Sequence, residues 1–257
     1  MARIIAVTNQ KGGVGKTTTC VNLSACMAAQ GKRVLVVDID PQGNCTSGFG
    51  LRAAEGRSTY EALLEPESAA DCIVGTCVDG LELMPSSMQL AGAEIELIGL
   101  DEREGRLKRA LSYVSDRFDY IMIDSPPSLG ILTLNGLTAA DSVIVPIQCE
   151  YYALEGVGQL MNTLNLVRAR LNPELAVEGV VLTMLDGRTN LGMQVVGEVK
   201  KYFKGQVYST VIPRNVRLSE APSHGLPIHL YDARCQGALA YEALAREVIE
   251  RAEDDDE

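Results

Sequence analysis

Two lysines and three glycines near the amino terminus have a spacing that suits phosphate binding. Residues 11–18 have the sequence Lys-Gly-Gly-Val-Gly-Lys-Thr-Thr. Glycine allows the backbone to turn successive N–H groups toward an anion, and a helix that begins at the loop adds partial positive charge. Such a loop places Lys16 at the β- and γ-phosphates of a nucleotide, the Thr17 hydroxyl on Mg²⁺ and Thr18 at the α-phosphate. The alternative is a glycine-rich turn that joins a strand to a helix and binds nothing.

The elements around this loop predict which other side chains lie near it. A buried apolar strand over 3–8 precedes the loop and a helix over 17–30 follows it, which is the context that a phosphate-binding loop requires. Two further apolar strands end in carboxylates, one leading from Asp38 to Asp40 and the other ending at Asp124. Because ligands of parallel sheets bind at the carboxyl ends of the strands, we expect the loop and these carboxylates to form one site.

Strand and helix patterns alternate along the whole chain without a linker or a repeat. Near-continuous runs of Val, Ile and Leu between helices are typical of a parallel sheet that is covered on both faces. We therefore predict an α/β fold in which residues 1–252 form a single P-loop NTPase domain, followed by a frayed acidic tail at 253–257. Ser58 and Glu61 predict the capped start of a short helix. The other predicted strands cover 33–38, 120–124, 142–147, 177–185 and 206–212, and the other helices cover 152–171, 190–203 and 237–252.

Composition limits the class of protein. Hydrophobic residues make up 46% of the 257 residues and charged residues 22%, as is ordinary for a globular domain. The longest apolar runs are too short to cross a bilayer and the first residues lack the pattern of a signal peptide, so we expect a cytoplasmic protein. Seven cysteines occur without a Cys-x-x-Cys pair. Buried, reduced thiols are the expected state, and a zinc or iron–sulfur site is the alternative.

The loop departs from the common phosphate-loop pattern, since Gln10 stands where a glycine is usual and Lys11 is an added lysine. In this form it resembles the deviant Walker A motif of the ParA/MinD ATPases, and other motifs resemble the ParA/Soj partition branch. The resemblance covers nearly the whole chain. These motifs are Asp-Ile-Asp-Pro-Gln-Gly-Asn at 38–44, Asp-Ser-Pro-Pro-Ser at 124–128, Glu-Tyr-Tyr-Ala-Leu-Glu-Gly at 150–156 and Ile-Pro-Arg-Asn-Val-Arg-Leu-Ser-Glu-Ala-Pro-Ser at 212–223.

The resemblance implies a site for ATP and Mg²⁺. Pro213 and Asn215 match family positions near the adenine, although Pro213 could equally be only the end of a strand. The implied nucleotide-binding residues are Lys11, Gly12, Gly13, Val14, Gly15, Lys16, Thr17, Thr18, Pro213 and Asn215.

The resemblance also implies roles in hydrolysis. Lys11 would cross a dimer interface to the phosphates bound by the other subunit and act in catalysis with Lys16, whereas the alternative is a solvated loop lysine. Asp40 would orient the attacking water, although an aspartate before proline can instead form an Asx-turn. Asp124 would hold Mg²⁺ through a water, or cap a helix or turn. Asp38 could support the metal or the switch segment that carries Asp40, or cap a turn.

Proteins of this family bind DNA non-specifically as ATP-bound homodimers, and a ParB-type partner stimulates their hydrolysis. The net charge of this chain is −11, which argues against a nucleic-acid partner. Residues 188–217, however, carry a local charge of +5, and a local basic stripe can bind phosphates on an acidic protein. The alternative is a solvated helix face. The candidate DNA-binding residues are Arg188, Lys200, Lys201, Lys204, Arg214 and Arg217.

Two other functions compete with partition. A positioning ATPase of the MinD type would act on a membrane or another cargo, but the last predicted helix ends in acids rather than in a basic amphipathic segment, so we expect no membrane partner. A redox ATPase like the nitrogenase iron protein would need cluster-binding cysteines at a dimer axis. No helix-turn-helix pattern precedes residue 3, so we also expect no sequence-specific repressor. The expected location is cytoplasmic and associated with the nucleoid.

Overall fold

One eight-stranded sheet forms the centre of the computed structural model, which describes residues 1–150, 153–185 and 190–256. The strands lie in the order β3-β4-β2-β5-β1-β6-β7-β8. Every neighbouring pair is parallel except β3 and β4, which are antiparallel. The strands are β1 (Arg3–Val7), β2 (Val34–Asp38), β3 (Val74–Gly75), β4 (Leu81–Met84), β5 (Tyr120–Asp124), β6 (Ser142–Gln148), β7 (Ala176–Leu185) and β8 (Val207–Pro213).

Helices connect the strands and cover both faces of the sheet. Within the described part of the chain the α-helices are α1 (Lys16–Ala29), α2 (Asn44–Gly48), α3 (Thr59–Leu64), α4 (Leu90–Glu96), α5 (Arg106–Ser112), α6 (Ile131–Ala139), α7 (Ala153–Arg170), α8 (Asn190–Tyr202), α9 (Val216–Glu220), α10 (Ile228–Tyr231) and α11 (Gln236–Asp256). Short 3₁₀ helices cover Pro66–Cys72, Leu97–Gly99, Ser115–Arg117 and Ala221–His224.

The central strands separate two apolar layers because successive side chains of a strand point to opposite faces. On β2, Leu35 and Val37 pack with residues of α3, α5, α6 and α7, whereas Val34 and Val36 pack with residues of α1 and α11. All five residues of β2 and all five of β5 are buried. Burial on both faces explains the near-continuous apolar sequence of these strands and holds their carboxyl ends in fixed positions.

The predicted α/β fold with its mostly parallel sheet is confirmed. β5 has the predicted bounds, β8 is shifted by one residue at both ends, and the other predicted strands differ by one residue at one end. The sequence pattern misses β3 and β4 at the edge of the sheet, because β3 has two residues and β4 has four, of which one is Glu82. Runs this short give too little periodicity to recognise.

The ends of two helices test the capping and tail predictions. Ser58 accepts a hydrogen bond from the Tyr60 amide at 3.2 Å and donates one to Glu61 at 2.6 Å, which confirms the capped start of α3. The closing helix α11 continues through Asp256 instead of ending at the predicted residue 252, so the predicted frayed tail is helical up to Asp256. Glu253 pairs with Lys32 at 3.0 Å, which ties this extension to the domain.

The described helices and the cysteines limit the remaining classes of protein. None of the described helices combines the length and the apolar character that a membrane span requires. All seven cysteines lie within the described residues as free thiols, and Cys77 and Cys235 are the ones that are not buried.

Candidate nucleotide site

The loop between β1 and α1 turns sharply at two glycines. Gly13 has φ 74° and Gly15 has φ 91°, in the left-handed region where a side chain would be strained. The side chain of Asn9 fixes the start of the loop, since it accepts a hydrogen bond from the Lys11 amide at 3.0 Å and donates one to the Pro146 carbonyl at 2.8 Å. The loop is therefore held on the sheet from its first residue.

Strand β7 supports the loop from the other side. The Thr183 hydroxyl donates a hydrogen bond to the Val14 carbonyl at 2.8 Å. The next residue, Met184, lines the cavity described below and has φ 53°, an uncommon conformation for a residue with a side chain. Sequence analysis did not single out either residue, because a threonine and a methionine at the end of an apolar strand carry no distinctive pattern.

Lys16 lies inside the loop rather than in solvent. Its side chain is 7% exposed, and its ammonium donates a hydrogen bond to the Lys11 carbonyl at 3.1 Å. Burial lowers the pKa of Lys16, while the charges of Asp124 and Asp40 oppose that shift. A buried cation with few partners gains strongly from an anion that enters the same cavity.

Asp124 ends β5 directly beside the first turn of α1. One carboxylate oxygen accepts a hydrogen bond from the Thr17 hydroxyl at 2.8 Å, and the other oxygen is buried with no partner among the described residues. Burial raises the pKa of Asp124 well above its usual range, and the neighbouring charge of Asp38 raises it further. An unpartnered buried carboxylate oxygen next to a threonine hydroxyl fits a hard cation such as Mg²⁺, which prefers oxygen ligands.

Asp38 lies opposite Asp124 in the register of β2 and β5, but its oxygens have protein partners. One oxygen accepts hydrogen bonds from the amide and hydroxyl of Thr46 at 2.8 and 2.6 Å, and the other accepts from the Asp40 amide at 3.2 Å. Burial raises the pKa of Asp38 to about 6, although the Thr46 hydrogen bonds oppose the shift. These contacts favour the capping alternative for Asp38. Any support that Asp38 gives to a metal would be indirect, because it would act by holding neighbouring residues in position.

Asp40 combines the two alternatives that the sequence leaves open. Its carboxylate accepts a hydrogen bond from the Gln42 amide at 3.0 Å, which is an Asx-turn. Its side chain is also 7% exposed and lines the cavity. The Ser86 hydroxyl donates a hydrogen bond to the Asp40 carbonyl at 2.6 Å and fixes the backbone at this point. The turn therefore positions the carboxylate at the edge of the cavity.

The loop, α2 and the turn after α9 enclose a cavity of about 480 Å³. Its lining combines polar residues of the loop and of α2 with apolar residues of other segments. The lining residues are Gly12, Gly13, Gly15, Lys16, Thr17, Thr18, Val21, Asn22, Asp40, Gln42, Asn44, Ser47, Gly48, Pro127, Met184, Ala221, Pro222 and Leu226.

Pro213 and Asn215, predicted near the adenine, do not line this cavity. Pro213 is the last residue of β8, and the Asn215 side chain caps α9 by accepting a hydrogen bond from the Arg217 amide at 2.8 Å. Ala221 and Pro222, which follow them in the same sequence motif, line the cavity instead. The motif at 212–223 contains Ala221 and Pro222, so the sequence could have indicated them. The sequence does not show, however, that α9 directs this later part of the motif toward the phosphate loop.

None of the described candidates for DNA binding lines the cavity, and Arg188 lies outside the described residues. Lys200 and Lys204 are exposed and form no ion pair with a described residue, whereas Lys201 pairs with Glu198 at 2.7 Å. Two arginines near the end of β8 also have acidic neighbours: Arg214 pairs with Glu150 at 3.6 Å, and Arg217 with Glu220 at 2.9 Å and Asp232 at 3.5 Å.

Similarity to known proteins agrees with this geometry. The AAA domain family matches residues 2–177. The sporulation initiation inhibitor protein Soj of Bacillus subtilis is 63% identical over 249 residues, which are 96% of this chain and 98% of the relative. The chain belongs to the ParA/Soj family of partition ATPases. The chromosome partitioning protein ParA of Myxococcus xanthus is a second relative, 52% identical over 98% of this chain and 89% of its own.

One solved structure with a similar fold contains a bound nucleotide and a metal ion. The cobyrinic acid a,c-diamide synthase of Mycobacterium smegmatis, described with bound ADP and magnesium, is 40% identical and has a TM-score of 0.86 over 98% of this chain and 96% of its own. As a ParA/Soj family member, the present chain is an ATPase that uses ATP and Mg²⁺, as predicted from its phosphate loop. A partition role is likewise supported by the relatives.

Proposed function

We propose that this ParA/Soj ATPase moves DNA by a nucleotide-controlled cycle of dimerisation. ATP joins two copies into a homodimer, the dimer binds DNA without sequence preference, and slow hydrolysis, stimulated by a ParB-type partner protein, releases the DNA. Such a cycle would segregate a chromosome or a plasmid and hold the protein at the nucleoid in the cytoplasm. The alternative is a positioning ATPase of the MinD type that acts on a membrane or another cargo.

The observation that carries the proposal is the difference between the two lysines of the loop. Lys16 is buried and donates to its own loop, so it is placed to bind the β- and γ-phosphates of ATP in its own subunit. Lys11 is only half-buried, and its ammonium makes no hydrogen bond or ion pair with a described residue. A second cation in the phosphate loop, which does not line the cavity of its own subunit and is not paired there, suits contact with the nucleotide of a facing copy, where it would offset charge during hydrolysis.

The other site residues take complementary roles in the proposal. The N–H groups of residues 12–18 cradle the phosphates, and Thr17 and Asp124 would hold Mg²⁺, with Asp124 acting through a water. The bound Mg²⁺ supplies charge neutralisation of the phosphates. Asp40 orients the attacking water from the cavity edge, and its Asx-turn keeps the carboxylate in place. No arginine enters the lining of the cavity within the described residues, which supports slow basal turnover.

DNA binding is assigned to the basic surface that includes Lys200, Lys201, Lys204, Arg214 and Arg217, with Arg188 of the same predicted stripe. Dimerisation doubles the number of these cations on one particle, so binding to DNA phosphates strengthens when ATP is bound. Contacts to phosphates alone carry no sequence information. The binding is therefore expected to be sensitive to salt and insensitive to sequence.

The test is to measure the mass of the protein in solution with ATP or ADP, with and without a plain DNA duplex. We expect a dimer with ATP, a monomer with ADP, and a DNA complex only with ATP. The Lys11→Ala variant should bind ATP and remain a monomer, whereas the control Lys32→Ala, at a surface ion pair, should dimerise like the wild type. A parallel sedimentation with lipid vesicles tests the alternative function.

Two results would overturn the proposal. Dimerisation of the Lys11→Ala variant at wild-type ATP concentrations would show that Lys11 is only a solvated loop residue. ATP-dependent sedimentation with vesicles, together with no DNA complex, would replace partition by positioning on a membrane.

A further inference from the structure

A closed ring of hydrogen bonds joins Asp40 to three other buried residues. The Thr46 hydroxyl donates to the Asp38 carboxylate at 2.6 Å and accepts a hydrogen bond from the Ser86 amide at 2.9 Å. The Ser86 hydroxyl donates to the Asp40 carbonyl at 2.6 Å. The Asp40 amide donates to the Asp38 carboxylate at 3.2 Å and closes the ring. We call Asp38, Thr46, Ser86 and Asp40 the aspartate ring.

The aspartate ring is shielded from water. Asp38 is fully buried, Thr46 is 3% exposed and Ser86 is 5% exposed. A hydrogen bond in such surroundings is stronger than in water, and a buried group that loses its partner is costly. The ring therefore holds the backbone of Asp40 at its amide and at its carbonyl, while the Asx-turn to Gln42 holds its carboxylate.

Thr46 belongs to α2, a helix that also forms part of the cavity wall. Asn44, Ser47 and Gly48 of α2 line the cavity, whereas Thr46 does not. The Thr46 amide donates to the same oxygen of Asp38 as its hydroxyl does, at 2.8 Å. One short helix thus carries cavity-lining residues and the side chain that joins Asp38 to Ser86.

We propose that Thr46 is a positioning residue for ATP hydrolysis, which keeps Asp40 in place through the aspartate ring. Its hydroxyl is a donor and an acceptor at once, and it links the end of β2 to the segment that follows β4. Without this hydroxyl, Asp38 and Ser86 would each still contact the Asp40 backbone but would no longer be joined to each other. A displacement of about 1 Å in a reacting group can cost about 100-fold in rate. The inference rests on the proposed role of Asp40 in orienting the attacking water.

A second threonine separates positioning from stability. Thr59 is also fully buried, and its hydroxyl donates to the Asp38 carbonyl at 2.9 Å rather than to the carboxylate. Thr59 therefore stabilises the same segment without being part of the aspartate ring. Loss of either hydroxyl leaves buried groups without a partner and lowers the stability of the protein, so the rate of hydrolysis is the quantity that distinguishes Thr46 from Thr59.

The experiment compares threonine-to-valine variants, which remove a hydroxyl and keep the branched side chain. Thr46→Val should lower kcat about tenfold or more. Its KM and its affinity for ATP should stay at the wild-type values, because no cavity-lining residue changes, which is the pattern of an interaction that acts in the transition state. Thr46→Ser keeps the hydroxyl and should restore most of kcat. Phosphate release and isothermal titration with ATP and Mg²⁺ measure these quantities.

Two controls accompany these variants. Thr59→Val should lower the stability, measured by chemical denaturation, and keep the wild-type kcat. Thr138→Val should keep both, because Thr138 is buried and its hydroxyl has no partner among the described residues. Thr46→Ala removes the same hydroxyl without placing a second methyl group in a buried site, and it should lose kcat as Thr46→Val does.

A double-mutant cycle tests whether Thr46 acts through Asp40. Turnover is measured for Asp40→Asn, for Thr46→Val and for the protein that carries both substitutions. If Thr46 only positions Asp40, Thr46→Val should cause no further loss once the Asp40 charge has been removed. A role in stability alone does not produce this dependence on Asp40.

Three results would overturn the inference. Wild-type kcat in folded Thr46→Val or Thr46→Ala, where Asp40→Asn stalls hydrolysis, would reject the role of Thr46 and leave the proposed function intact. Losses of kcat in Thr46→Val and Thr59→Val that follow their losses of stability would make Thr46 a structural contact. Multiplying losses in the double variant would show that Thr46 acts independently of Asp40. Wild-type turnover in Asp40→Asn would instead remove the proposed role of Asp40, and the inference with it.

Discussion

The nucleotide cavity and the basic surface use charge in different ways. At the nucleotide site, Lys16 lines the cavity and Asp38 and Asp124 lie buried behind it; burial shifts the pKa of each. On the basic surface the charges are exposed and screened by water, and Arg217 is already paired with two carboxylates. The difference teaches that the chemistry of the site depends on buried groups held in fixed positions, whereas binding to a phosphate backbone requires only a sufficient number of nearby cations.

The comparison implies that a single substitution in the cavity has a larger effect than one on the basic surface. Lys16→Ala should lower ATP affinity about 100-fold or more, because it removes charge-assisted hydrogen bonds in a buried site. Isothermal titration with ATP and Mg²⁺ measures the change, and Lys201→Ala is the control because its ammonium is exposed and paired with Glu198. Retained ATP affinity in Lys16→Ala, with a folded protein, would contradict the assigned role.

Asp40 sharpens the comparison because its carboxylate makes a structural contact as well as facing the cavity. Asp40→Asn keeps an oxygen that can accept the Gln42 amide, whereas Asp40→Ala removes it. If the charge orients the attacking water, both variants should lose about 100-fold in turnover while still binding ATP and forming dimers that persist. Phosphate release and solution mass measure these outcomes, with Asp116→Ala as an exposed control.

Wild-type turnover in Asp40→Asn would show that the Asx-turn is the only role of this side chain. The two variants therefore separate the alternatives that the sequence leaves open at residue 40. The same logic does not apply to Asp124, because one of its oxygens has no partner to preserve in the part of the chain that the structure describes.

The basic surface should respond in smaller, cumulative steps. Lys200→Ala/Lys204→Ala removes two exposed charges that have no acidic partner among the described residues, and should weaken DNA binding about tenfold while lowering the salt dependence by about two phosphate contacts. Arg217→Ala should have a smaller effect, because Glu220 and Asp232 already offset its charge. DNA affinity of the ATP-bound dimer at several salt concentrations measures both. An Arg217→Ala variant that loses more affinity than the lysine pair would show that its ion pairs break on DNA.

The sequence predicts the fold and the phosphate loop because local patterns determine both. Buried strands such as β5 have apolar residues at every position, and the glycines at 13 and 15 occur where the backbone requires positive φ. The support of the loop by Thr183 depends on a contact between residues that are far apart in the chain. No local pattern contains that information.

The carboxylates show the same limit within one site. All three were predicted to lie together, and the register of β2 and β5 places Asp38 beside Asp124. Their proposed roles differ because their neighbours differ, which the sequence does not reveal: Thr46 donates two hydrogen bonds to Asp38, whereas one oxygen of Asp124 has no partner among the described residues. The distribution of hydrogen-bond partners, rather than residue type, distinguishes the aspartate with structural contacts from the one proposed to hold a metal.

Asn215 provides the smallest predicted effect and a test of where the cavity ends. Asn215→Ala should destabilise the protein by about 1 kcal/mol, because it removes the cap of α9, and should leave ATP affinity unchanged since Asn215 does not line the cavity. Asn215→Ser keeps a capping hydroxyl and should restore most of the stability. Chemical denaturation and ATP titration of the same samples measure both quantities. If Asn215 instead contacts the adenine, both variants would bind ATP more weakly, and the serine variant would do so at near wild-type stability, which a purely structural role cannot produce.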